Sequence, residues 1–318
     1  MNMKATAVVL VGFGLFAPAP VTTQSQALKV TLLGTGSPRP LVDRFGPSVL
    51  VEAGSERLLI DCGRGAPQRL WQLNIPLREI TAVFLTHLHS DHVMGVPDLW
   101  LTGWLATPFG RRTEPFRISG PPGTRDLMSN FEKAFQVDIR SRLTDEKLPP
   151  RGISVVAEDI AEGAVYDRNG VKITAFAVDH GEAIRPAMGY RIDYGGRSVV
   201  ISGDTRFSEN LIKFAKGADV VIHEVAAAKD ELLRADQASR QILNNHTTPQ
   251  QAGSLFERVK PRLAVYTHII LLGPAATAVT LDELVAMTRQ SYSGPLEVGE
   301  DLMTIGIGDR IDVHRPVH

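Results

Sequence analysis

The chain has 318 residues, 43% hydrophobic and 22% charged, which suits a large folded core and excludes a disordered or fibrous protein. Its formal net charge of −1 excludes the global basic field that holds nucleic acid by counterion release, so any polyanion must be captured locally. A single cysteine, Cys62, excludes an intramolecular disulfide.

Lys4 followed by the apolar run Ala5–Phe16 has the form of an export signal and is too short to span a bilayer. Small residues in Ser25-Gln26-Ala27 place cleavage after Ala27. Residues 1–27 are therefore read as a signal peptide and 28–318 as one mature domain, periplasmic or secreted, with no stable membrane insertion after cleavage. Cys62, directly after an apolar run, is expected to be a buried small hydrophobe rather than a nucleophile.

The mature chain opens with the β-rich run Lys29–Leu33, which stops at Gly34-Thr35-Gly36-Ser37-Pro38. Ser48–Glu52 and Arg57–Asp61 flank Ala53-Gly54-Ser55-Glu56 as a hairpin, followed by a helix over Ala66–Leu73. Ala82–Thr86 reads as a buried strand, Val93–Leu105 as a helix, and Thr124 as the cap of a helix reaching Phe135. Trp100 and Trp104, one helical turn apart, are expected in the core rather than along a cleft. The interval Gly103–Arg151 gives no clear pattern and is consistent with a lid or a surface excursion.

Further strands are predicted at Val171–Val178, Ala187–Tyr194, Ser198–Ser202, Val220–His223 and Leu263–Thr267. Helices are predicted at Asn210–Lys216, Pro249–Val259 and Leu281–Gln290. Two sets of strands, each followed by helices, make an α/β protein of four layers, an αβ/βα sandwich.

The chemistry concentrates in His87-x-His89-x-Asp91-His92, on a loop leaving the Ala82–Thr86 strand. Four such groups crowded together repel and desolvate one another unless a cation compensates them, so the segment is a metal site. One ion cannot use them all and keep an open position, so the spacing suggests two ions. His180, Asp204 and His268 each end a strand-like run and are the candidate partners, converging on one edge of the sandwich.

With these residues the sequence resembles the metallo-β-lactamase superfamily over essentially the whole mature chain. Within it the chain is most similar to the ribonuclease Z-like branch. That likeness rests on Leu32-Leu33-Gly34-Thr35-Gly36-Ser37-Pro38, Leu59-Ile60-Asp61-Cys62-Gly63, Gly203-Asp204-Thr205-Arg206, His223-Glu224 and His246-Thr247-Thr248-Pro249-Gln250-Gln251-Ala252. The resemblance implies His87, His89 and His180 on one metal, Asp91, His92 and His268 on a second, and Asp204 bridging both. It also implies two Zn²⁺, although the same ligands tolerate Mn²⁺ or Fe²⁺. His246, paired with Glu224, is implied to protonate the leaving group, the rival reading being that His246 caps the following helix. His223 is expected to be structural, and His314 and His318 to lie in a terminal tail.

The implied activity is ester hydrolysis by a hydroxide held between the two ions, with Asp91 and Asp204 orienting it. Members of the branch that grip transfer RNA carry a long arm between the third histidine and the bridging aspartate. Here only Gly181–Gly203 joins them. Armless and exported, the chain is expected to cleave small phosphodiesters or aryl sulfate esters as an anionic substrate, with no nucleic-acid partner and with homodimerisation as the default. Arg39, Arg44 and Arg206 are candidates to meet the anion, against a solvated or bracing role. β-Lactam or lactone hydrolysis, a ribonuclease Z-type endonuclease and a metal-free binding module stand as alternatives.

Overall fold

The computed structural model describes residues 28–316, so the export-signal reading over Met1–Ala27 and the position of His318 lie outside the described residues. The chain first lays down β1 (Leu28–Gly34), β2 (Ser48–Ala53), β3 (Glu56–Ile60), β4 (Ala82–Phe84), β5 (Phe116–Gly120) and β6 (Val155–Asp159). A second group follows: β7 (Gly163–Arg168), β8 (Val171–Val178), β9 (Ala187–Tyr194), β10 (Arg197–Ile201), β11 (Val220–Ala227), β12 (Leu263–Leu271) and β13 (Leu296–Val298). The chain then returns to the first sheet with β14 (Thr304–Ile307) and β15 (Ile311–His314). The sheets run β15-β14-β1-β2-β3-β4-β5-β6 and β13-β12-β11-β10-β9-β8-β7.

Period-two alternation sends each strand's side chains to two different cores. Val49, Val51, Leu58 and Ile60 meet Ile173, Ile192, Val199 and Val265 between the sheets. Their neighbours Leu50 and Leu59 face outward, against helices that include α1 (Ala66–Gln72). On the other side Val200 and Val221 pack beneath a second helical layer. Three apolar layers between four layers of elements make the expected α/β sandwich.

The predicted hairpin forms with Val49 opposite Ile60 and Ala53 opposite Glu56. The helix predicted over Val93–Leu105 is broken into α2 (Ser90–Val93) and α3 (Val96–Thr102). The break lies at Gly95, whose N–H donates to Cys62 O at 2.8 Å; a Cβ there would stand 2.3 Å from Gly63 O. Pro97 then stands in the first turn of α3. Thr124 does not cap α4 (Thr124–Ala134): Gly123, at φ 104°, holds that place, and Thr124 Oγ1 donates back to Pro121 O.

The interval Gly103–Arg151 is a packed flank of the first sheet, carrying β5, α4 and α5 (Gln136–Thr144). It is fastened to the tryptophans, which are fully buried: Trp100 Nε1 donates to Ile153 O and Trp104 Nε1 to Pro149 O, each at 2.9 Å. Arg112 donates to Gly152 O and Trp100 O beneath it, and burial lowers its pKa to about 10. Cys62 is buried, and desolvation, aided by Asp98 and Asp61, pushes its thiol pKa up, away from nucleophilic use. His314 sits in β15, opposite Thr304, rather than in a free tail. No helix among the described residues is long and apolar enough to cross a membrane.

Candidate metal centre

The strand ends of both sheets deliver the predicted residues to one place. His87 and His89 follow β4, Asp91 and His92 lie in the short α2, His180 follows β8, and Asp204 follows β10. Gly203, at φ 62°, makes the turn before Asp204, and a Cβ there would approach Met188 O to 2.5 Å. His268 arrives by a different device. On β12, Thr267 pairs with Glu224 and Ile269 with Val225, so His268 is an extra residue in the ladder, at φ 42°. This bulge turns its ring into the centre.

Ring tautomers follow from the hydrogen bonds behind the site. Asp61 accepts the Thr86 N–H at 2.7 Å, the Thr86 hydroxyl at 2.8 Å and the His92 Nδ1–H at 2.8 Å. With its own proton given to Asp61, Thr86 Oγ1 accepts from His87 Nδ1 at 3.0 Å. One carboxylate thus leaves the Nε2 lone pairs of both His87 and His92 aimed at the centre. His180 is set the same way, its Nδ1–H donating to Asn245 O at 3.0 Å. Asp61, part of the Leu59–Gly63 motif, thus has a positioning role that its motif does not announce; its signal in the sequence is an acidic residue directly after an apolar strand, two residues before a glycine.

The inward-facing atoms crowd without enough protons to satisfy them. His87 Nε2 and His180 Nε2 confront His89 Nδ1 at 2.9 and 3.3 Å. Asp204 Oδ2 lies 3.9, 3.4, 3.8 and 3.3 Å from His87, His92, His180 and His268. Asp91 Oδ2 lies 3.2 Å from His268 Nε2. His92 Nε2 and Asp204 Oδ1 are buried without any hydrogen-bond partner. Such orphaned donors and acceptors, all nitrogen and oxygen, fit cations shared between His87, His89 and His180 on one side and Asp91, His92 and His268 on the other, with Asp204 between.

The electrostatics suit that arrangement. Burial holds His87, His89 and His180 below the ordinary imidazole range, in the neutral form a cation needs. Burial also opposes charge on Asp204 and Asp91. For Asp204 the neighbouring His268 and His92 more than offset it and hold the carboxyl well below the usual range; His268 does the same more mildly for Asp91.

His246 stands at the rim, its ring 4.9 Å from that of His180 and stacked 5.7 Å from that of His268. Glu224, reached from β11, holds both His246 Nδ1, at 3.1 Å, and the Thr247 N–H, at 2.7 Å. Burial works against the His246 cation, but the Glu224 carboxylate, helped by Asp204, raises its pKa to about 9. Helix capping belongs to Thr248, whose Oγ1 accepts from Gln251 N at the start of Pro249–Val259. His223 is buried edge-on to Phe256, away from the site, with Nδ1 donating to Glu224 O. Of the three arginines, Arg44 braces Thr35 Oγ1 and Gly299 O, Arg206 braces Asn244 O and Asn245 Oδ1, and Arg39 is exposed.

A cleft of about 320 Å³ opens over the cluster, with His89, Asp91, His180, Asp204, His246 and His268 in its lining. Residues 56–269 match the family described as beta-lactamase superfamily domain. Ribonuclease Z of Mycobacterium marinum is 36% identical over 291 residues, covering 90% of this chain and 99% of that protein. The metallo-beta-lactamase fold protein YhfI from Bacillus subtilis superposes with a TM-score of 0.68 at 20% identity, over 88% of this chain and 99% of the other. Human tRNase Z, short form, gives 0.63 at 24% identity, over 87% and 98%.

These relatives correct the expectation that nucleic acid is not a partner. Net charge near zero excludes a global field, not local capture. Nor does the missing arm set this chain apart. An alignment of 291 residues that spans 99% of a ribonuclease Z leaves no room for a long segment present there and absent here. By its sequence matches, its fold and the placement of its histidine–aspartate cluster, the chain belongs to the metallo-β-lactamase superfamily of metal-dependent hydrolases, in the ribonuclease Z-like branch.

Proposed function

We propose that this chain is a binuclear zinc phosphodiesterase of ribonuclease Z type that cleaves RNA. The observation that carries the reading is the buried His246–Glu224 pair at the mouth of the metal cluster, a proton donor aimed at the same cleft. Sulfate and lactam chemistry at an activated leaving group does not need such a donor, whereas a nucleoside alkoxide does. Similarity to ribonuclease Z, 36% identity over 90% of the chain, supports RNA over the small aryl esters expected from the sequence.

His87, His89 and His180 would hold one zinc, Asp91, His92 and His268 the other, and Asp204 both. When bound, the ions supply an activated water near neutral pH and neutralise charge on the phosphoryl oxygens. Asp91 and Asp204, acceptors on the floor of the cleft, orient the attacking water. Asp61 keeps His87 and His92 in the tautomers that leave their inner nitrogens bare. His246 gives a proton to the departing oxygen, and Glu224 keeps its ring charged and pointed.

The leader read over Met1–Ala27 and the mature domain read from Leu28 belong to the same proposal, placing the activity outside the cytoplasm. Leu28, buried and paired with Ala53 and Ile307, is anchored in the first sheet, so the mature chain read from it would keep that strand whole. Zinc-loaded protein assayed in parallel on an RNA oligonucleotide, bis-nitrophenyl phosphate, nitrophenyl sulfate and nitrocefin tests the activity. Cleavage of RNA with the phosphodiester far ahead of the sulfate and the lactam is the expected result. Nitrocefin preferred by orders of magnitude overturns it. N-terminal sequencing of fractionated cells, expected to start at Leu28, tests the location.

A further inference from the structure

The cleft over the cluster is polar on its floor and apolar on one wall. Its aliphatic lining is Ile242, Ile270 and Leu272, with Pro38 also at the cleft, and among the described residues no lysine or arginine lines it. Ile242 is 40% exposed, a large aliphatic side chain held in water at the rim. Nothing in the packing of its own helix, Gln237–Leu243, requires it there, since only Ser239 of that helix is buried.

The wall lies on the leaving-group side. His246 follows Ile242 by one helical turn, tied to it through Asn245 N–H to Ile242 O and His246 N–H to Leu243 O. Ile270 follows His268 on the strand that carries it, and Leu272 lies just past that strand's end. A group whose oxygen receives the His246 proton therefore has its body against these side chains.

Resting on the phosphodiesterase reading above, we infer that this wall is a specificity subsite for the flat ring of the leaving nucleoside, beside a single phosphate. An unstacked nucleobase presents an apolar face that the wall desolvates without needing a hydrogen-bond pattern. Additional phosphates find little to bind. Of the three arginines weighed above, Arg44 and Arg206 are committed to the protein and Arg39, next to Pro38 in the chain, is exposed. The substrate is thus read as one scissile phosphate plus one unpaired ring, not as a tract of backbone.

Three dinucleotides test this: one intact, one abasic on each side, with product analysis identifying the nucleoside that leaves. Loss of the leaving-side base is expected to lower kcat/KM at least tenfold, and loss of the other base less than threefold. The Ile242→Ser protein, altered at an exposed position, is expected to shrink the leaving-side ratio below three. Equal losses on both sides, or a ratio unchanged in Ile242→Ser, overturn the subsite. Calorimetric binding of slowly hydrolysed phosphorothioate versions separates the two readings. If no dinucleotide is cleaved yet the leaving-side base strengthens binding tenfold and Ile242→Ser abolishes that gain, the activity fails and the subsite stands. If binding ignores the base as well, the subsite fails.

Discussion

Asp61 Oδ2 accepts the Nδ1–H of His92 at 2.8 Å while the Asp61 backbone is held in the left-handed region at φ 58°. That left-handed turn, which aspartate tolerates, sets the carboxylate behind the metal cluster.

Asp61→Asn tolerates the same backbone but turns an amide toward His92, so ring orientation is lost without a new cavity. Zinc affinity is expected to fall about 10- to 100-fold. Competition against a chromophoric chelator measures it. Unchanged affinity would mean that Asp61 serves only the turn.

Removing the ions should leave the two sheets folded, because three apolar layers do not depend on them. Uncompensated crowding at the cluster should nonetheless lower the melting temperature. Zinc at about 1,000 times its Kd is worth about 4 kcal/mol. Far-ultraviolet dichroism with thermal melts, before and after chelation and again after zinc is restored, is expected to show retained structure and a reversible drop in Tm.

His246→Ala is expected to cost about 10²- to 10⁴-fold on RNA and little on bis-nitrophenyl phosphate, whose leaving group needs no proton. Equal losses on both remove the donor role. With a pKa raised to about 9, His246 keeps its proton through neutrality and loses it as pH rises. Bound cations push the other way, so the alkaline limb of kcat on RNA falls at or below about pH 9. That limb should vanish with the nitrophenyl substrate.

Asp301 carries the glycine loop that borders the cleft: it accepts from Thr35 N, Thr35 Oγ1 and Phe45 N, and pairs with Arg69 at 2.9 Å. Asp301→Ala leaves the buried Thr35 donors without their acceptor and the partly buried Arg69 without its carboxylate. The expected cost is about 1–3 kcal/mol, read from urea unfolding.

Glu56 is buried beside the second sheet, accepting from Tyr166 and Asn169. Burial resists its charge, but those two hydrogen bonds prevail and hold its folded pKa below the ordinary glutamate range. A depressed carboxyl stabilises above its unfolded pKa, and that contribution is lost as pH falls through the folded value. Unfolding free energy measured across this acid range should drop more steeply in the native protein than in Glu56→Gln.

The metal loop was legible because four ligands stand within six residues after an apolar strand, and His180, Asp204 and His268 because each closes such a strand. What escaped was non-local. Asp61 works through a contact 31 residues away. β14 and β15 rejoin the first sheet only after the second is complete, a pairing no local period announces. β5 and β6 are short, and β7, on the edge of its sheet, is partly exposed, so alternation had little length in which to appear. The break near Gly95 was written in Gly95-Val96-Pro97, but the apolar count on either side outweighed it.

The extra residue at His268 acts on β12 as a phase slip. Before it, Leu263 and Val265 face the space between the sheets while Ala264 and Tyr266 face the helices; after it, Ile269 and Leu271 face the helices. Odd and even positions have exchanged roles, so Ile270 and Leu272 are released to the cleft. Deleting that one residue would join Thr267 directly to Ile269 in a regular ladder, leave Ile269 and Leu271 against the helices and Ile270 toward the cleft, and so erase the ligand while keeping the wall.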